Sequence, residues 1–370
     1  MTLLISALAF FLLLSVLILI HEWGHFAAAR KAGVIVDEFG FGLPPRVKTL
    51  WTKNGTRFSL NWIPFGGFVR LRGENAVDPD SYAGPGSFAA ASVPARVMIL
   101  CAGVFMNFAL AIVILTIGFS VGRWVPSFQT CEETAAAIAR GVMNMDLSVQ
   151  IEEALAGGGG AAAGVPAGST LTAVDGQVVN CPSEVTAFQE GKERVAYTLL
   201  VPGGTEPRVM NVSLTDGRSD VVLSSQATNI EAPLRAPWVA FWYSLRESWI
   251  MLRQTALGLG QLFLSLAQTG QVPEGITGVV GIAQLTHASV QEGFMTYLRL
   301  VALLSLSLAA LNILPFPALD GGRLLFVFVE AVSRRRVNRT FELATNGLGF
   351  LFLIGLILLI TYHDVIRLFS

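Results

Sequence analysis

Residues 18–30 read ILIHEWGHFAAAR, and they set two histidines and a glutamate into an otherwise apolar run. From Met1 to Ile20 no residue is charged, and after His21-Glu22-Trp23-Gly24-His25 the apolar character resumes until Arg30 and Lys31. A hydrocarbon core takes about 20 apolar residues of helix, so Thr2 to Ala29 reads as a membrane span. On a helix, His-Glu-x-x-His puts His21 and His25 about 40° apart on one face and one turn apart along the axis, close enough to share a metal ion. Glu22 points to neighbouring helix surface, within reach of a water on that metal. A water on zinc has a pKa of about 7, and a carboxylate beside it can take the proton and pass it to a leaving amine. Ionisable groups at membrane depth cost about 3 kcal/mol each and are rarely there for packing. A metal shared by the imidazoles accounts for their presence.

The run is not read as a secretory signal, because it is too long, lacks a basic start and has no small-residue cleavage site before the polar motif. Across 370 residues, 53% are hydrophobic and 14% charged, with a mean hydropathy of +0.59. These values indicate an integral membrane protein with a modest soluble part. A net charge of −1 offers no basic face for phosphates, so nucleic acid is excluded as a partner. Of the three cysteines, Cys101 falls in an apolar run, whereas Cys131 and Cys181 fall in the polar middle of the chain. The latter two pair if that region faces an oxidising compartment; the sequence leaves this open.

Three further segments are apolar enough to span: 97–121, 294–319 and 343–361. Residues 30–96 hold nine Lys or Arg, and Arg323, Arg334, Arg335, Arg336 and Arg339 follow the third span. Residues 122–293 also hold nine, spread over more than twice the length. The positive-inside rule then places 30–96 and 323–340 in the cytoplasm. Both termini and 122–293 lie outside, in the periplasm of a bacterium. Residues 122–230 alternate short apolar stretches with turn residues and read as a β-rich domain, with Gly157–Gly160 as a flexible loop. In 233–268, Trp238, Phe241, Trp242, Leu245, Trp249, Leu252, Ala256, Leu259 and Phe263 recur at helical spacing. They predict an amphipathic helix in the membrane interface, a helix packed on the soluble domain being the alternative.

A catalytic zinc needs a third protein ligand and an open position. His287 falls in the external region and His363 after the last span, so both read as surface residues. Asp320, in LNILPFPALDGGRL, sits at the cytoplasmic end of the third span, at the depth of His21 and His25. Pro315 and Pro317 break that helix and Gly321-Gly322 loosen it. Such backbone occurs at membrane depth only where it lines a cavity.

With HEWGH in the first span and NILPFPALDGG in the third, the chain resembles the site-2 protease family of intramembrane zinc metalloproteases. FGFGLPPR, WIPFGGFVRL, ARVMILCAGVFMNFALA and GITGVVGIAQ resemble further family segments, and AAAGVPAGSTLTAVDGQVV resembles a PDZ stretch. Val104 and Val279 stand where the family commonly has Pro. The resemblance implies one Zn2+ per chain, bound by His21, His25 and Asp320, with Glu22 activating the water. It implies that Asn312 binds the substrate backbone, and that 57–72 forms a membrane-associated hairpin turning near Pro64–Gly67. Pro64, Gly66, Gly67 and Phe68 of that hairpin would contact a substrate strand.

The fold expected is a polytopic α-helical membrane protein with four transmembrane helices, a cytoplasmic-side membrane-associated β-hairpin and one periplasmic PDZ-like β-rich domain. Its parts are a first membrane part (1–121), the PDZ-like domain (122–230), an amphipathic interfacial region (231–293) and a second membrane part (294–370). The function implied is an endopeptidase of the bacterial inner membrane. It acts as a monomer, in contact with membrane lipid, on single-span membrane proteins such as anti-sigma factors or signal-peptide remnants. The PDZ-like domain would reject substrates with large external parts. Two other readings fit parts of the sequence: a non-catalytic PDZ scaffold, and a metal-binding or metal-transporting membrane protein. A scaffold has no need of a complete ligand set, and a transporter leaves Glu22 without a role.

Overall fold

The apolar run that carries the histidines forms helix α1 (Thr2–Lys31), with Arg30 and Lys31 in its last turn, where cations complement the helix dipole. The structure, a computed structural model, describes residues 2–74, 84–273 and 275–367. The chain divides into one unit of Met1–Gly118 with Ala236–Ser370 and another of Phe119–Arg235. After α1 come β1 (Val36–Lys53) and β2 (Thr56–Leu71). They are joined by Asn54-Gly55, both at positive φ (51° and 81°), the two-residue turn that matches strand twist. This turn differs from the hairpin expected over 57–72 with its turn near Pro64–Gly67. Those residues are instead a bend inside β2. Phe39 pairs with both Phe58 and Val69, and Phe41 with both Leu60 and Gly67. The first part of β1 is thus held on two sides, and residues 67–71 return along it after the bend. Helix α2 (Val93–Ser120) follows.

In the second unit, α3 (Cys131–Ala139) begins at Thr130, whose hydroxyl accepts the Glu133 N–H (3.2 Å). Then come β3 (Asn144–Ala154), α4 (Gly159–Ala162), β4 (Thr170–Val174), β5 (Gln177–Val178), α5 (Pro182–Gln189), β6 (Arg194–Leu200), β7 (Arg208–Ser213) and β8 (Val221–Glu231). The sheet order is β7-β6-β4-β3-β8, with β5 paired to β4. Its core holds Val149, Ile151, Leu171, Tyr197, Leu199 and Val212, all essentially inaccessible. Gly159 and Gly160, expected in a flexible loop, are buried in the short α4. The Asp175 carboxylate is held below its usual range by the Ala196 N–H and by Lys192. Cys131 and Cys181 are joined in a disulfide, which settles the pairing that the sequence left open.

Closing a loop of 50 residues removes chain entropy from the unfolded state worth about 4 kcal/mol. Cys131→Ala is therefore expected to destabilise this unit by roughly 2–4 kcal/mol, read as a lower denaturant midpoint for its transition. An unchanged midpoint would show that the bridge contributes nothing.

The chain re-enters the first unit through α6 (Pro237–Gln268), α7 (Val279–Glu292), α8 (Phe294–Ile313), α9 (Asp320–Ser333) and α10 (Arg339–Arg367). Among the described residues, five helices are long and apolar enough to cross a membrane: α1, α2, α6, α8 and α10. Helix α6 is the one that the sequence reading assigned to the interface. Glu247, buried within it, pairs with Arg299 of α8 (3.5 Å), so part of its charge is neutralised by packing. Trp238, Trp242 and Trp249 stay exposed. Helix α7 has Gly278 at its N-cap, so it lacks a capping side chain of its own. Asp364 of α10 supplies the cap instead, accepting the N–H groups of Gly278 and Gly281 at 2.9 Å each. His287, read as a surface residue, lies half-buried with Nδ1 2.8 Å from the Ser6 hydroxyl of α1.

The segment 294–319 is not one span. Helix α8 stops at Ile313, Leu314 turns extended at φ −61° and ψ 140°, and Asp320 opens the next helix. Pro315 and Pro317 cannot donate to a helix ladder. Gly321 lets the new helix start against the Ile313 and Leu314 carbonyls, where any Cβ would collide.

Candidate metal centre

The two histidines come from one face of α1, four residues apart, and Asp320 from the first turn of α9. Their ligating atoms converge. His21 Nε2 lies 3.0 Å from Asp320 Oδ2, His25 Nε2 3.3 Å from the same oxygen, and the two Nε2 atoms 3.1 Å apart. Four tetrahedral zinc ligands at about 2.0–2.1 Å stand roughly 3.3 Å from one another, so the triangle has the size that such an ion needs. Both histidines are buried, and His25 Nδ1 lies 2.8 Å from the Ile99 carbonyl. In the neutral ring Nδ1 must carry the hydrogen to make that bond. The Nε2 lone pair then faces the other nitrogen and a carboxylate oxygen. Two ring nitrogens and a carboxylate oxygen aimed at one point suit a cation. His21, His25 and Asp320 are a group whose geometry suits a metal, and the residues present fit one.

Helix α2 makes this convergence possible by lying almost on the ligands. A Cβ at Gly103 would strike His25 Nε2 and come within 2.7–2.8 Å of His21 Cε1 and Nε2. Across the same contact, a Cβ at Gly24 would strike the Ala102 carbonyl.

Glu22 stands beside the triangle. Its carboxylate accepts the Val69 N–H from the returning part of β2 at 2.9 Å. It shares a cavity of about 330 Å³ with His25, Asp320, Phe68, Val69, Arg70, Leu71 and Arg323. Residues 67–71 pair with β1 on one side, and on the other they face this cavity. Of the residues expected to contact a substrate strand, Phe68 is on the cavity wall. Pro64 is exposed, and Gly66 and Gly67 are buried against Ile18 and Leu19 of α1. Asn312 sits half-buried on the last turn of α8, outside the wall.

Sequence reasoning missed the anchor of this edge. Arg323, one turn after Asp320, pairs with Glu74 just beyond β2, and the Leu71 N–H donates to the same carboxylate (3.3 Å). Arg339 of α10 donates to the Glu74 carbonyl. The turn that presents Asp320 therefore also holds the end of the strand facing Glu22. A charged residue after a glycine pair was the available signal, but its partner lay 249 positions away.

Similar proteins match this chain along nearly its whole length. A Clostridium perfringens protein provisionally named a zinc metalloprotease is 29% identical over 95% of this chain and 96% of its own. An Agrobacterium fabrum protein with the same provisional name is 27% identical over 96% and 94%. Zinc metalloprotease RasP of Shouchella clausii is 25% identical over 99% and 100%. The resemblance to the site-2 proteases is borne out. The model of peptidase family M50 matches residues 9–356, a stretch that contains His21, His25 and Asp320, and the chain belongs to that family.

Proposed function

We propose that this chain is an intramembrane zinc endopeptidase that cuts the membrane-spanning segments of single-span proteins. The observation that carries the reading is the convergence of His21, His25 and Asp320 beside Glu22, in a cavity walled by one strand edge. Zinc held there supplies the Lewis acidity that makes water a nucleophile near neutral pH. Glu22 would take a proton as the water oxygen bonds to the peptide carbonyl carbon, and would then give it to the amine nitrogen, whose C–N bond breaks in that second stage to leave a carboxylate and an amine. The strand 67–71 takes an extended substrate by strand addition on the edge away from β1, where substrate carbonyls replace the Glu22 and Glu74 carboxylates that now accept the Val69 and Leu71 N–H groups. That step is needed because a helical peptide bond is enclosed in its own hydrogen bonds. Phe68 is assigned to substrate contact on the cavity wall. Asn312, with Pro64, Gly66 and Gly67 at the bend, is assigned to guiding the substrate backbone toward it.

The orientation adopted is that of the positive-inside rule, with four spans, α6 in the interface, and both termini and the β-sheet unit in the periplasm. The Cys131–Cys181 disulfide supports it, since such bonds persist in oxidising compartments. The β unit is assigned a PDZ-like role, rejecting substrates whose external part has not yet been removed.

The test uses single-span reporters in membranes, one with an intact external domain and one truncated. Cleavage is expected only for the truncated reporter. It should be lost after chelation and recovered with one zinc per chain. Cleavage that survives chelation, or no cleavage of either reporter by zinc-loaded protein, would remove the reading.

A further inference from the structure

Both imidazoles at the metal centre are backed by α2, and the two supports differ in kind. His25 Nδ1 meets a backbone carbonyl, that of Ile99. His21 Nδ1 meets a side chain, Asn107, whose amide nitrogen lies 3.3 Å away. Ile99, Gly103 and Asn107 follow one another at four-residue spacing, so one face of α2 presents an acceptor, a gap for the rings and an amide. Asn107 is fully buried. Its Oδ1 has no partner among the described residues, and its backbone carbonyl accepts the buried Ser305 hydroxyl of α8 (2.8 Å). A polar side chain so enclosed at membrane depth is costly unless it has work to do.

We infer that Asn107 is a positioning residue for the metal centre: its side-chain oxygen accepts the Nδ1–H of His21 and fixes the tautomer that leaves Nε2 free to bind the metal. The inference rests on the zinc reading of the site. If the amide donates to Nδ1 instead, the His21 hydrogen sits on Nε2 and points at Asp320, where it blocks ligation. A half-turn of the amide about its last side-chain bond exchanges oxygen and nitrogen without moving the helix. That turn gives the partnerless oxygen a donor. Ligating histidines are held in this manner in metal sites generally, and removing the outer partner weakens metal binding by about 10–100-fold.

The test measures zinc affinity of the full chain by chelator competition, with thermal unfolding as a check on folding. Asn107→Leu, similar in volume but without an acceptor, is expected to bind zinc about 10–100-fold more weakly. Asn107→Asp, which keeps an acceptor, is expected to bind within about threefold of wild type or more tightly. Asn107→Ala replaces the leucine variant in the same comparison if that variant does not fold. Equal affinity of Asn107→Leu and wild type would overturn the inference, as would equal weakening by Asn107→Leu and Asn107→Asp, which marks a packing role. Wild-type protein that binds no zinc would instead sink the functional reading on which the inference rests, so the two failures are told apart.

Discussion

Glu22→Gln is expected to lower reporter cleavage by about 10²–10⁴-fold while zinc stays bound at one ion per chain. Glutamine has the shape of the carboxylate, and its carbonyl oxygen can still accept the Val69 N–H that Glu22 accepts now. The contact between α1 and the cavity edge therefore survives, and so do His21, His25 and Asp320. What disappears is the capacity to hold a proton between water and the departing amine. The loss should fall on kcat, with the KM for the truncated reporter little changed, because the group acts on the reacting atoms rather than on the bound strand. Metal content and rate have to be measured on the same preparation. Cleavage within about tenfold of wild type would end the role assigned to Glu22. A parallel loss of zinc would make it a structural residue instead.

A larger disturbance is expected from a single methyl group. In Gly103→Ala the new Cβ lands on the ligating edge of both imidazoles, and it is built on a helix backbone that cannot retreat without separating α2 from α1. The rings must turn away, so zinc affinity should fall by about 100-fold or more, with cleavage following it. Overpacking of this kind also destabilises by about 1–3 kcal/mol. Gly347→Ala is the control. That glycine lies in α10, and a methyl group added there would meet nothing within 4 Å, so the change should leave metal binding unaltered and stabilise slightly. Equal zinc binding by Gly103→Ala and wild type would show that the helices are not held at the contact distance seen here.

The metal triangle was legible in the sequence for a physical reason. Histidines at four-residue spacing on an apolar helix are too costly to be there for packing, and Asp320 lies where two prolines and two glycines forbid a regular span. Asn107 and Gly103 were far less visible. Each is a single residue in an apolar run, and what gives it meaning is the helix that lies against it. The break between α8 and α9 was foreshadowed by Pro315 and Pro317, yet hydropathy joined the pieces and put Asp320 at the end of one helix instead of the start of the next. The β1–β2 pairing was misread because the bend at Pro64–Gly67 looks like a turn locally. Only the double pairing of Phe39 with Phe58 and Val69 shows the chain folding back on both sides of one strand. Helix α6 was read from the helical spacing of its Trp and other apolar residues, and the pairing of its Glu247 with Arg299 was not visible there because Arg299 belongs to a different helix.

The partnership of His21 with Asp320 joins positions 299 residues apart. Synthesis at about 5–20 residues per second leaves an interval of roughly 15–60 s between the making of the first ligand and the last. Throughout that interval the nascent chain carries Glu22 and two histidines but no third ligand. On the proposed reading, the chain is thus inert until almost all of its own length has been translated. Chains truncated before Asp320 by a stalled ribosome or a premature stop stay inert for good.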